Sequence, residues 1–279
     1  MDFRLRLLSS ETTDTESVKE LFFEACNDND LSEVQDMFNL GADVNWKDAN
    51  GWAGLHLAAA ENYRGLLELL LSQTGVDVNI NINSSNETPL MIACQEGHEK
   101  ILRRLSQISG VQINAKDEDG KIPLYHAVEQ DHPSCVSVLR EMAMADVDWN
   151  AKSDGGYSSL TIAVYRIRAK CLKILLSVSE PHLDFSVTDP GGRHVTHIAV
   201  ESPEYRDSQR CLELLSEDRR VNPYWNVKNP DGDSPLMHCL KTNKITMATT
   251  LLANPSVDLD TVDIEGRHLE DIARSVYNM

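Results

Sequence analysis

Thiols, imidazoles and closely spaced glycines are the groups in this 279-residue chain whose types could act as metal ligands, nucleophiles, proton carriers or phosphate cradles. The six cysteines, Cys26, Cys94, Cys135, Cys171, Cys211 and Cys239, stand at irregular separations with no Cys-x-x-Cys pair. Neither a zinc ribbon nor a dense disulfide framework is signalled, and a reducing compartment fits best. The nine histidines include no His-Glu-x-x-His helix, and no nucleophile elbow, Walker loop or dinucleotide fingerprint is present. Gly155-Gly156 and Gly191-Gly192 suit sharp turns and require no phosphate. The sequence therefore assigns no catalytic residue, no cofactor and no metal.

Composition narrows the partners. The chain has 44 acidic and 26 basic residues, a net charge of -18, so its averaged field repels phosphate backbones and anionic lipid heads. Nucleic acid is not an expected partner. No window approaches the roughly 20 consecutive apolar residues of a membrane span, and the start is too short in apolar residues for a secretory signal. A soluble cytoplasmic protein is expected, with the nucleus as a second compartment. At 41% hydrophobic and 25% charged residues the composition is globular.

The elements that position these groups recur. A turn glycine is followed seven residues later by a small residue in Gly51/Ala58, Gly120/Ala127, Gly156/Ala163, Gly192/Ala199, Gly232/Cys239 and Gly266/Ala273; Asn86/Ala93 fills the gap. Asn is the substitution expected where a turn needs positive φ. The interval is 34 to 36 residues, except for 40 between Gly192 and Gly232. After each small residue a second apolar set follows at i, i+1, i+4, as in Leu66, Leu67, Leu70 and Cys171, Leu172, Leu175, which makes one stripe on a helix. Each unit reads as a turn, a short helix, a tight connection and a longer helix. Neither helix can bury its face alone, so neighbouring units must supply the core.

Three segments carry a family resemblance: Asp48-Ala-Asn-Gly51-Trp-Ala-Gly-Leu55-His56-Leu-Ala58-Ala59, Glu87-Thr88-Pro89-Leu90-Met-Ile-Ala93-Cys94-Gln-Glu-Gly97-His98 and Asp231-Gly232-Asp-Ser234-Pro235-Leu236. With the loop Leu40-Gly41-Ala42-Asp43-Val44-Asn45 they resemble ankyrin repeats. The resemblance implies an all-α solenoid of stacked helix-turn-helix units with β-hairpin-like loops. It covers residues 16–279 as one domain, with a tail over 1–15 and units near 16–48, 49–83, 84–117, 118–153, 154–189, 190–229 and 230–263, and a partial unit at 264–279. The first unit looks like a cap, and the last has room for one helix, either a half-unit cap or part of a longer chain. The 40-residue interval places extra residues within Glu201–Arg210, where Pro203 opposes continuation of the first helix, so this repeat is the least regular.

Register assigns most chemically capable residues to the framework. Cys135, Cys171 and Cys211 share one apolar position of the second helix, Cys26 and Cys94 follow the small residue, and Cys239 replaces it. His56 and His197 match the motif histidine whose ring bridges turn backbones; Asp48, Asp117, Asp189 and Asp263 cap the turns. Trp149 and Trp225 sit where Val44 lies and read as packing residues. The free positions are the flanks of each turn glycine and the outward face of each first helix, a concave strip. Glu61, Glu87, Glu96, Asp119 and Glu129 make its early part acidic, whereas Tyr157, Tyr165, Arg166 and Arg193 follow. Such charge is either a solvated face or a recognition surface. Trp46 and Trp52 bracket the first turn, either as partner anchors or as indoles lying flat on the hairpin.

What the resemblance implies is a monomeric, non-catalytic protein-interaction module, with a basic segment as in the partners of Rel-factor inhibitors as the candidate ligand. The alternative is an accessory or regulatory domain of a larger enzyme or channel. Leu71-Ser-Gln-Thr-Gly-Val-Asp77-Val78-Asn79 also resembles the loops modified by asparaginyl hydroxylase, which makes Asn79 a candidate for that modification.

Overall fold

Every repeat begins with a turn that needs a left-handed residue. Gly51 (φ +86°), Gly120, Gly156, Gly192, Gly232 and Gly266 provide it, and Asn86 adopts φ +58° in the one repeat without glycine. Conformation is only half of the requirement at Gly51, because a Cβ there would lie 2.7 Å from the Asn83 backbone nitrogen of the next repeat. The computed structural model that shows this describes residues 15–142, 147–179, 182–203 and 206–277. The tail expected over 1–15 lies outside them except for Thr15, as do Tyr205 of the insertion and Met279.

Around the turns the hairpin-like loops are reduced to single antiparallel bridges, Lys47 with Ala53, Lys152 with Ser158, Thr188 with His194 and Val262 with His268. Turn aspartates hold them: the Asp48 carboxylate accepts from the Asn50 and Trp52 backbone N–H groups at 3.0 and 2.7 Å. Asp189 and Asp263 do the same for Arg193 and Arg267 at 2.9 and 3.0 Å. Three of the described first helices then start on a hydroxyl cap. Thr88 Oγ1 accepts from Met91 N at 3.4 Å with Pro89 at the first helical position, and Ser158 and Ser234 cap Thr161 and Met237. A proline costs nothing there, since that N–H has no intrahelical acceptor.

Two compact units result, divided between Glu118 and Asp119. In the first, inner helices α1 (Thr15–Asn27), α3 (Gly54–Ala60) and α5 (Pro89–Gln95) each pair with an outer helix, α2 (Leu31–Asn39), α4 (Arg64–Leu71) and α6 (Glu99–Ser106). Inner packs on inner and outer on outer, and the outer helices bury Leu66, Leu67 and Leu70, then Ile101, Leu102 and Leu105. Each fully buried leucine contributes roughly 1.5–3 kcal/mol of transfer free energy.

The second unit repeats the scheme with inner helices α7 (Pro123–Glu129), α9 (Ser159–Tyr165), α11 (Val195–Glu201), α13 (Pro235–Lys241) and α15 (Leu269–Tyr277). Its outer helices are α8 (Pro133–Met142), α10 (Ala169–Leu176), α12 (Arg206–Glu217) and α14 (Ile245–Leu252). The 40-residue repeat is irregular as its proline implies. The inner helix stops at Glu201, Ser202 is extended (ψ 150°) before Pro203, and α12 runs to 12 residues where α10 has 8. A 3₁₀ helix, Arg219–Tyr224, follows in place of an ordinary loop. Arg220 pins it to the preceding repeat, donating to Leu176 O and Val178 O and lying 4.8 Å from the Phe185 ring.

Asparagines sew adjacent loops together inside each unit. Asn45 Nδ2 donates to Gly75 O at 2.8 Å while its Oδ1 accepts from Asp77 N at 2.8 Å. Asn79 repeats this with Gly110 and Gln112, Asn150 with His182 and Asp184, and Asn226 with Ser256 and Asp258. All six cysteines are buried and free, and Trp149 and Trp225 are fully buried, as their register implies.

Candidate functional site

Within each unit the turns and inner helices carry the residues read from the sequence as partner-binding candidates. In the first unit the two tryptophans part company. Trp46 packs edge-on against Phe23 of α1 at 5.7 Å, whereas Trp52 leans on His56 at 6.0 Å. Both are half-buried, so each ring has a packing role and an outer face. Glu61 and Glu96, at the C-terminal ends of α3 and α5, are exposed and have no ion pair among the described residues. Glu87 is half-buried and accepts a hydrogen bond from Ser85 Oγ at 2.7 Å. This unit therefore presents the exposed carboxylates of Glu61 and Glu96 and two half-buried indoles.

Histidine fixes the geometry beneath. His56 Nδ1 accepts from the Ala53 N–H at 2.9 Å, which leaves the proton on Nε2 to be donated at 3.0 Å to Ile80 O in the loop leading to the next repeat. Burial pulls the imidazole down to a pKa of about 4, so it stays neutral and the bridge persists at neutral pH. His98 Nε2 donates to Ala60 O at 2.8 Å, closing the C-terminal end of α3. Two repeats of the second unit place a cation there: Arg168 donates twice to Glu129 O, and Lys244 donates to Val200 O, Glu201 O and Ser202 O. Positive groups suit the carbonyl end of a helix.

The second unit organises its face by a spacing of eight. The residue after the turn glycine meets the last residue of the inner helix in Lys121–Glu129 (3.3 Å), Tyr157–Tyr165 (ring centroids 5.4 Å), Arg193–Glu201 and Asp233–Lys241 (2.6 Å). Glu129 also receives Arg166 from the following repeat at 3.5 Å, and Arg193 also grips Asp189 at 2.6 Å. Burial works against the Lys121 ammonium, but Glu129 and Asp119 more than offset it and its pKa rises. The Asp189 hydrogen bonds raise Arg193 likewise. Asp119 and Glu129 are thus already matched by Lys121 and Arg166, and the run of free acid expected from the sequence does not extend into this unit. Lys121, Glu201, Asp233 and Lys241 fall on the turn flanks and helix positions that the register leaves free, but their pairing, and that of the turn aspartate Asp189 with Arg193, was not read from the sequence. The signal was available: complementary charge eight residues apart in successive repeats.

A family model for ankyrin repeats, described as three copies, matches residues 21–117 and 105–189. The chain belongs to the ankyrin-repeat family. Alpha-latrotoxin-Lg1a of Latrodectus geometricus is 33% identical over 102 residues, 37% of this chain and 7% of the toxin. The nuclear factor NF-kappa-B p105 subunit of Gallus gallus is 31% identical over 116 residues, 41% of this chain and 12% of p105. The probable 26S proteasome regulatory subunit p28 of Saccharomyces cerevisiae is 28% identical over 129 residues, 46% of this chain and 56% of p28. The chain therefore matches less than a tenth of the toxin and just over half of p28. Ankyrin repeats are protein-interaction elements, and no helix among the described residues is long and apolar enough to cross a membrane.

Proposed function

We propose that the protein is a non-catalytic recognition module, cytoplasmic or nuclear and monomeric, that binds a protein partner on its turn and inner-helix face. The observation that carries this reading is the division of labour within each repeat. Cysteines, histidines, turn aspartates and loop asparagines are committed to the framework, which leaves the turn flanks and inner-helix ends to vary from repeat to repeat. In the first unit the free positions are Trp52, Glu61, Glu87 and Glu96, which fit a basic segment: carboxylates steer its approach and the indole holds it. A second reading, an accessory ankyrin domain of a larger protein, is favoured by the small share of the toxins and of p105 that the chain matches.

The test is stopped-flow binding of a labelled lysine- and arginine-rich peptide to the full chain. Reversing Glu61, Glu87 and Glu96 to Lys should slow association at least tenfold and flatten its salt dependence, because steering acts on encounter. Trp52→Ala should instead speed dissociation, by about 2 kcal/mol if the indole is an anchor. Association unchanged by the triple reversal at low salt would remove the basic-segment reading.

A further inference from the structure

The repeats at 154–189 and 190–229 differ from their neighbours in the second unit in three ways that converge on one place. First, the residue before the turn glycine is acidic in the flanking repeats, Asp119, Asp231 and Glu265, but is Gly155 and Gly191 here. The glycine pairs thus leave no carboxylate directly before either turn glycine, and Asp154 stands one position earlier in the first tip. Second, the eight-residue pair of the earlier repeat is not an ion pair but two tyrosines, Tyr157 and Tyr165, with rings tilted by 42°. Tyr165 is 48% exposed. Third, the cations on this face lie outside the acids that hold them. The Arg166 side chain is 52% exposed over a Glu129 that is only 16% exposed, and Arg193 covers Asp189, whose side chain is fully buried. A carboxylate beneath a guanidinium cancels the distant field yet leaves the outer N–H donors turned toward a ligand at contact range.

The backbone there is strained as well. Ile167 adopts φ +59°, a region that β-branched residues avoid, where other repeats of the chain place Asn62, Gly97, Asp131 and Asn243. It is clamped immediately downstream by the two Arg168 donations to Glu129 O, at 3.1 and 2.9 Å. Tyr165 and Arg166 therefore emerge from a helix end of fixed direction, a pre-organised arrangement in which little side-chain order has to be acquired on binding.

We propose that Tyr157, Tyr165, Arg166 and Arg193 form a docking site for an acidic segment of a partner protein, with an aromatic side chain seated on the tyrosine pair and a carboxylate held by Arg166. It rests on the recognition reading above and assigns the second unit a ligand chemistry opposite to that of the first. Nucleic acid is the poorer occupant, because its continuous phosphate charge meets a chain of net charge -18, whereas a protein segment need place only one carboxylate, on Arg166.

Fluorescence anisotropy on the full chain decides it, with a short labelled peptide alternating glutamate and phenylalanine. The result expected is saturable binding that weakens at least tenfold in Arg166→Glu and in Tyr165→Ala and is unchanged by the Glu61, Glu87 and Glu96 reversals. Both substituted side chains are about half exposed, so the variants should fold; unchanged circular dichroism melting checks this, and Arg166→Gln is the fallback. No saturable binding, binding indifferent to both variants, or displacement of the peptide by a single-stranded oligonucleotide would overturn the proposal. If the lysine-rich peptide still binds through Trp52 and Glu61 while the glutamate peptide does not, this site fails and the broader reading survives. If neither peptide binds, both fail.

Discussion

At the residue scale, chemically reactive types have been spent on architecture. Burial pushes the Cys26 and Cys211 thiols up to about 12, so neither forms a thiolate near neutral pH. Thiol titration should accordingly be slow in the native protein and release six equivalents once the chain is denatured; rapid native reaction of even two thiols would contradict the packing described. His56 gives a pH prediction with a defined sign. Its folded pKa of about 4 lies below the ordinary 6.5, so the unfolded chain takes up more protons between these values. Stability from this group is complete above pH 6.5 and declines as pH falls toward 4, by roughly 3 kcal/mol over the window. Burial lowers His194, His197 and His238 too, which adds to the same slope. Urea midpoints measured from pH 7 to 5 should fall in the native chain and fall less steeply in His56→Asn. Ile167 offers a gain instead: Ile167→Asn should stabilise by about 1 kcal/mol by relieving left-handed strain, read as a higher urea midpoint.

At the scale of elements, the period in the sequence carried the architecture, because each helix depends on its neighbours for burial and the same positions must recur. Asn86 in place of a glycine, the caps at Thr88 and Ser234, and the buried indoles of Trp149 and Trp225 all followed from position within the repeat. The face was less legible. Charges were readable one at a time, but whether an acid is free or matched depends on a contact across the hairpin, so Glu129 looked like Glu61 until Lys121 and Arg166 were placed beside it. Strain was hidden for the same reason: nothing local marks Ile167 as left-handed except its place two residues after the end of α9. Core truncation tests the shared register directly. Leu102→Ala in α6 or Leu172→Ala in α10 should cost about 2–5 kcal/mol, the range for large-to-small changes in a packed interior, measured by denaturant unfolding. An unchanged midpoint would mean that these helices do not face their neighbours as described.

For the molecule as a whole, the net charge of -18 conceals two surfaces of different character. One unit presents the exposed carboxylates of Glu61 and Glu96 and the half-buried Trp52; the other carries Arg166 and Arg193 over less exposed acids and the Tyr157–Tyr165 pair. Under the proposed recognition role, binding takes place on the turns and inner helices and not on the outer helices. Hydrogen–deuterium exchange of the full chain, with and without the lysine- and arginine-rich peptide, tests that claim most directly. Protection should appear over residues 48–61 and 82–96 and be absent from the outer helices at 64–71 and 99–106. Protection confined to those outer helices, or none at peptide concentrations that saturate binding, would contradict it.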